Sequence, residues 1–227
     1  MSIKALIPVR SGSQRVKNKN IKPFADSSLL EIKIKQMLRI KKKGLIDEVI
    51  VNSNDDSMLD LALSLGAKAV KRDEYFATDL TPNEEIYENY AKNIDCETIV
   101  FADATNPLLK DESIIKCIEI YKKLDKNIYD SLATANIVRL FMWQNGKSLN
   151  YDENHKPRSQ DLPKILALNY ALHIFSREFM EFKKRIVGFK PYFFELDKLE
   201  ALDIDEELDF EIAEFLYKKF IERKEKQ

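Results

Sequence analysis

The chain has 227 residues, and its 37 Lys and Arg nearly balance 38 Asp and Glu, for a formal net charge of −1. That balance excludes a protein that coats nucleic acid through a broad basic surface, and no apolar run approaches the roughly 20 residues needed to cross a bilayer. An apolar fraction of 44% over this length supports one sizeable core, so a single domain over residues 1–227 is expected. In chain order, Ile3–Val9 is an apolar run that reads as a first strand. Leu30, Ile34, Met37 and Leu38 then recur at helical spacing, and Glu48–Asn52 reads as a short buried strand. A helix carrying Leu59, Ala62 and Leu63 stops near Gly66 before a strand at Ala67–Val70. Ile86 and Tyr90 mark a helix, Thr98–Ala102 a strand, Ile114, Cys117, Ile118 and Tyr121 another helix, and Ser131–Ala135 another strand. This β-α alternation predicts an α/β fold with a mostly parallel sheet covered on both faces.

The pattern changes after residue 135. Val138–Trp143, the turn Gln144-Asn145-Gly146-Lys147 and Ser148–Tyr151 predict a β-hairpin, with Asn-Gly as its turn signal. The excursion over 136–160 holds Phe141 and Trp143, which suits either a dimerisation arm or a core hairpin. A strand near Leu168–Phe175, a short helix from Ser176 and a strand near Tyr192–Leu196 follow. A last helix over about Glu207–Glu222 is expected to bury Leu208, Ile212, Phe215, Leu216 and Phe220, with a loose charged tail after Ile221. Cys96 and Cys117 have no close Cys or His at metal-ligand spacing, which predicts two buried thiols in a reducing compartment. The N-terminus lacks the apolar core of a signal peptide, so a cytoplasmic location is expected. His155 and His173 are the only histidines, and neither has the setting of a nucleophile's partner.

Four segments carry chemistry. The first strand empties into a loop with Arg10, Ser11, Gly12, Ser13, Gln14, Arg15, Lys17, Lys19 and Asn20, a cluster of cations in an otherwise neutral chain. Such a loop cradles polyphosphate with its side chains and amides, or else forms a solvated turn; open parallel sheets bind ligands at this end of their strands. It is neither a Walker A sequence nor a dinucleotide fingerprint. In Asp203-Ile204-Asp205, an extended backbone points both carboxylates to one face, as Mg²⁺ prefers, unless Asp205 only caps the last helix. Asp103, Thr105 and Asn106-Pro107 end the Thr98–Ala102 strand, where an Asp meets a metal or ribose or the segment makes an ordinary turn. Arg72 with Ala77-Thr78-Asp79 follows the 67–70 strand, and Thr78 or Asp79 reads first as an N-cap for the Ile86 helix.

Together these segments resemble the acylneuraminate cytidylyltransferases, the CMP-sugar synthetases. Val9-Arg10-Ser11-Gly12-Ser13-Gln14 through Lys19-Asn20 is similar to the family loop A-R-x-G-S-K-x-x-x-x-K-N. Arg72 with Ala77-Thr78-Asp79, Thr105-Asn106-Pro107-Leu108, Gln160-Asp161-Leu162-Pro163 with Asn169, and Asp203-Ile204-Asp205 with Asp209 follow in register over nearly the whole chain. The resemblance implies a Rossmann-like, three-layer nucleotidyltransferase fold and Mg²⁺-dependent transfer of CMP from CTP to an acidic sugar or related small acceptor, by a homodimer acting on neither nucleic acid nor membrane. It implies catalytic roles for Arg10, Lys19 and Asp205. Nucleotide contacts are implied for Arg10 to Arg15, Lys19, Asn20, Arg72 and Asp103, substrate contacts for Thr105, Asn106, Gln160, Asn169 and Tyr170, and metal ligation for Asp203 and Asp205. Departures fall on both sides: on the nucleotide side Gln14 replaces a phosphate-binding Lys and Asp103 a Gln, and on the substrate side Ser159 and Ala167 each replace an Arg and Tyr170 the glycine of N-G-A. A sugar-1-phosphate-type nucleotidyltransferase using another base, or an inactive nucleotide-binding subunit, are the alternatives.

Overall fold

The structure is a computed structural model that describes residues 2–222. Seven strands form one sheet: β1 (Ile3–Pro8), β2 (Glu48–Ser53), β3 (Lys68–Lys71), β4 (Thr98–Ala102), β5 (Ser131–Val138), β6 (Ile165–Ser176) and β7 (Pro191–Glu195). Their spatial order is β7-β5-β6-β4-β1-β2-β3. Every pairing is parallel except those of β6, which runs antiparallel to both β4 and β5. The central strands are apolar on both faces because both are covered, as parallel sheets require. Ala5, Ile7, Val49, Val51 and Val100 face one layer, and Leu6, Ile50, Ile99 and Phe101 the other.

The first layer holds α1 (Leu29–Lys42), α2 (Asp56–Ser64), α4 (Asp111–Lys123) and α6 (Glu207–Tyr217); the second holds α3 (Asn83–Lys92) and α5 (Arg177–Lys183). α1 starts where the Ser28 hydroxyl accepts from the Glu31 amide, and its stripe of Leu30, Ile34 and Met37 is wholly buried. Full burial of each such side chain stabilises the fold by about 1.5–3 kcal/mol. Both cysteines are free thiols in the interior. Among the described residues, no helix is long and apolar enough to cross a membrane.

Three expectations fail for physical reasons. The hairpin ladder is only Trp143–Gln144 against Lys147–Ser148, because Val138 stays in β5 and pairs with Ile165. Trp143 is 53% exposed, so the hairpin does not bury its tryptophan in the core. In α6 the buried face is Phe210, Ala213 and Tyr217, while Leu208, Ile212 and Phe215 face solvent, as does Phe220 in the π-helical turn that follows. Phe24, on the turn before α1, selects that face by edge-on contacts to Phe210 (5.2 Å) and Tyr217 (5.5 Å). The third failure is the N-cap: Pro82 precedes α3, and neither Thr78 nor Asp79 caps it. The tail over 223–227 lies outside the described residues.

Candidate active site

A cleft of about 610 Å³ opens at the carboxyl ends of β1 and β4. Arg10, Ser13, Gln14, Arg15, Lys19 and Asn20 line one side, and Asp103, Thr105, Tyr170 and Asp205 stand across from or beside them. The loop leaves β1 in a fixed direction because Arg72 holds its root. Arg72 is buried, donates to the carbonyls of Val9 (2.8 Å) and Asn52 (2.7 Å) and to Asn52 Oδ1 (2.7 Å), and stacks over Tyr90. Its guanidinium is thus engaged by protein on most sides, and it borders the cleft mainly as a support.

Arg10, Arg15 and Lys19 of the loop, and Lys22 beyond it, each face an oxygen acceptor. Arg10 donates to the Ala77 carbonyl (2.7 Å) and pairs with Asp79, which gives the 77–79 segment its role. Arg15 pairs with Asp205 (2.6 Å), Lys19 Nζ donates to the Ile204 carbonyl (2.6 Å), and Lys22 pairs with Glu207. Burial pushes the Lys19 ammonium down from its usual range, against the pull of Asp203 and Asp205. Exposed pairs of this kind contribute only about 0–1 kcal/mol.

The acidic segment is held by its backbone. The Ile204 amide donates to the Thr105 carbonyl (3.1 Å) and the Ile204 side chain is fully buried; of the two flanking aspartates Asp205 borders the cleft, whereas Asp203 is not among the residues that line it. Asp209 accepts from the amides of Asp205 (3.1 Å) and Glu206 (2.8 Å) and forms the capping box of α6 with Glu206. The cap is therefore not Asp205, whose carboxylate lies in the cleft. Asp203 Oδ1 is sealed from solvent with no hydrogen-bond partner, and burial pushes its carboxyl up. Burial and the neighbouring Asp203 charge push Asp103 up to about 7. Beneath both, the wholly buried Lys33 of α1 donates to Gln36 (2.9 Å) and to the Asn106 carbonyl (3.2 Å). Among the described residues no three His, Cys, Asp or Glu side chains form a complete protein cage for a metal. The donors present, two carboxylates with one buried orphan oxygen, fit a cation such as Mg²⁺ that fills its shell from phosphate and water.

Beside the cleft, between β5 and β6, the sheet breaks its register. Ala135 pairs with Leu168 but Ala133 with His173, so the bulge in β6 contains Asn169 and Tyr170. Thr134 fills the gap: its hydroxyl lies 2.7 Å from Asn169 Oδ1 and accepts from the Leu172 amide (3.0 Å). Tyr170 sits at φ +54°, a conformation that favours glycine, and it borders the cleft. Nothing in the sequence singles out Thr134. Substituting Thr134→Val leaves the Leu172 amide unpaired and leaves Asn169 Oδ1 with the Ala171 amide (3.3 Å) as its remaining donor, and chemical denaturation should show a loss of about 1–3 kcal/mol. A loss within ±0.5 kcal/mol, the range of an ordinary surface change, would show that the hydroxyl does not hold the bulge.

Not every expected site residue reaches the cleft. Asn106 is fully buried and donates to the carbonyls of Leu202 (3.1 Å) and Asn169 (3.4 Å), tying three segments together instead of meeting substrate. Asn169 is likewise buried, turned toward Thr134 by the bulge. Gln160 lies on an exposed turn over Ser159–Asp161, outside the lining residues, where its carbonyl accepts from Arg139 (2.7 Å). Ser11 and Gly12 stand behind the loop, with Ser11 bonded to Asn54. Lys33, Thr134 and the aromatic end formed by Tyr87, Tyr90 and Phe101 were not foreseen; a lysine inside the apolar α1 stripe was the one available signal.

A family model described as cytidylyltransferase matches residues 4–226. The pseudaminic acid cytidylyltransferase of Campylobacter jejuni is 31% identical, over 94% of this chain and 95% of that one. The CMP-N,N′-diacetyllegionaminic acid synthase of the same species is 28% identical over 92% of each. A solved CMP:2-keto-3-deoxy-manno-octonic acid synthetase complexed with CTP superposes with a TM-score of 0.70 at 10% identity, covering 96% of this chain and 99% of that one. At that identity the likeness is one of fold.

Proposed function

Because the chain belongs to the acylneuraminate cytidylyltransferase family, we propose that it transfers CMP from CTP to a hydroxyl of an acidic, nonulosonate-type sugar. The observation that carries the reading is the meeting of the cationic 10–20 loop with Ile204 and Asp205 at one cleft, through Arg15–Asp205 and Lys19–Ile204. The acceptor oxygen attacks the α-phosphorus, the bond from that phosphorus to the bridging oxygen breaks, and pyrophosphate leaves; the hydroxyl proton goes to water or a cleft carboxylate. Arg10, Arg15 and Lys19 exchange their present partners for phosphate oxygens, and the loop amides keep the chain of phosphates in line. Arg15, next to Gln14, replaces the charge that a lysine at position 14 would bring. Asp203 and Asp205 would hold Mg²⁺, which supplies Lewis-acid stabilisation of the growing negative charge.

Two free thiols in the core support a cytoplasmic location. Exposed Leu140, Trp143 and Leu149 support a homodimer formed through the 136–160 excursion, to be read from the mass in solution. The deciding experiment is pyrophosphate release with each of the four nucleoside triphosphates against pseudaminic, N,N′-diacetyllegionaminic and N-acetylneuraminic acids. Turnover with CTP and at least one acid is expected. Failure of CTP both to turn over and to bind would sink the proposal, and preference for another triphosphate would reassign the base.

A further inference from the structure

His173 lies behind Phe101 and Tyr170, two residues that line the cleft, and nothing above uses it. Its side chain is wholly buried, and neither Nδ1 nor Nε2 has a hydrogen-bond partner. A buried imidazole with both nitrogens unpaired is rare and costly, since each unmet polar group forfeits its hydration. Two rings cover it: Phe101 at 6.3 Å between centroids and Tyr170 at 5.3 Å. Phe101 is fixed in β4, but Tyr170 is 43% exposed, borders the cleft, and stands at a positive φ that costs a non-glycine residue energy. An unsatisfied polar group and a strained cover therefore meet at the border of the cleft. The bulge that Thr134 holds is what places them there.

We propose that His173 is a specificity-determining residue of the acceptor site, its imidazole hydrogen-bonding an uncharged hydroxyl or acylamino group of the acceptor once the Tyr170 ring swings aside. Burial pushes the imidazole down to about 4, so it enters this contact neutral, able to donate at one nitrogen and accept at the other. The inference rests on the acceptor reading above, and its test separates the two.

Tyr170→Gly removes the cover and suits the backbone, since glycine takes positive φ without strain. In that variant His173 should react with diethyl pyrocarbonate about tenfold faster or more than in the unaltered chain, as the exposed population sets the rate. The exposed His155 serves as internal reference in peptide mapping. At least one of the three acids named above should slow the His173 reaction in the presence of CTP. His173→Phe fills the same space and breaks no existing hydrogen bond; it should leave CTP affinity unchanged and raise the KM for that acid about tenfold with little change in kcat, while His173→Gln restores most of it. A His173 as unreactive in Tyr170→Gly as in the unaltered chain overturns the proposal. So does an absence of protection by all three acids, or an unchanged KM in His173→Phe. Loss of CTP binding by the unaltered chain, in contrast, would strike the cytidylyltransferase reading and leave the reactivity comparison standing.

Discussion

Lys19→Met is expected to lower kcat/KM for CTP about 10²–10³-fold, the loss seen when one preorganised donor is removed from a developing anion. Lys19 is the loop cation most shielded from water, held by the Ile204 carbonyl at 2.6 Å and pushed down by burial. A charge in such a place is stronger than one in water and needs no reorganisation when the α-phosphate becomes more negative. Arg15, largely exposed, should cost far less when replaced, because solvent screens it. Lys19→Arg keeps the charge but replaces a compact ammonium with a wide fork, and should fall between the two. Steady-state pyrophosphate release measures all three. A loss smaller than about tenfold for Lys19→Met, ~1.4 kcal/mol, would remove this lysine from the transition state.

The same loop shows how much the sequence disclosed. Strand-helix alternation was readable through Ala135 because each element carries its own period, and Thr98–Ala102 falls at its expected bounds. The α6 face was not, since five apolar residues made a plausible stripe and only the distant Phe24 decided that Phe210 and Tyr217 turn inward. Of the site, the cations at 10, 15 and 19 and the aspartates at 103 and 205 were legible as charges in unusual company, and they do line one cleft. The β6 bulge was not legible. Asn169 looks from the sequence like a residue offered to a ligand, but three extra residues in one strand turn it toward Thr134 and bring Tyr170 forward. Register is a property of two strands, and no single segment reveals it.

That distinction between what a residue is and where the fold turns it gives the second large effect opposite signs for stability and activity. Asp203→Asn should lower kcat/KM about 10³-fold while raising the thermal midpoint. The activity loss follows if Asp203 is a metal ligand, because the Lewis-acid contribution of several kcal/mol is lost and each ~1.4 kcal/mol is tenfold in rate. The gain in stability follows from the burial of a carboxylate whose Oδ1 has no partner, near Asp205 and Asp103, with Lys19 and Lys33 as its nearby cations. Since the folded state raises the carboxyl of Asp203, its contribution to stability is present at low pH and is lost as pH rises through the folded value. The neutral amide escapes that loss, so the variant's advantage should grow with pH from the ordinary aspartate range upward. Relief of about 1 kcal/mol would raise the midpoint by ~2–4 °C in a chain of this size. Scanning calorimetry at two pH values, beside Mn²⁺ titration in the presence of CTP, reads both signs in one protein. A variant that loses stability and still binds Mn²⁺ with unchanged affinity would show Asp203 to be a structural carboxylate, and the cation site would have to be built on Asp205 without it.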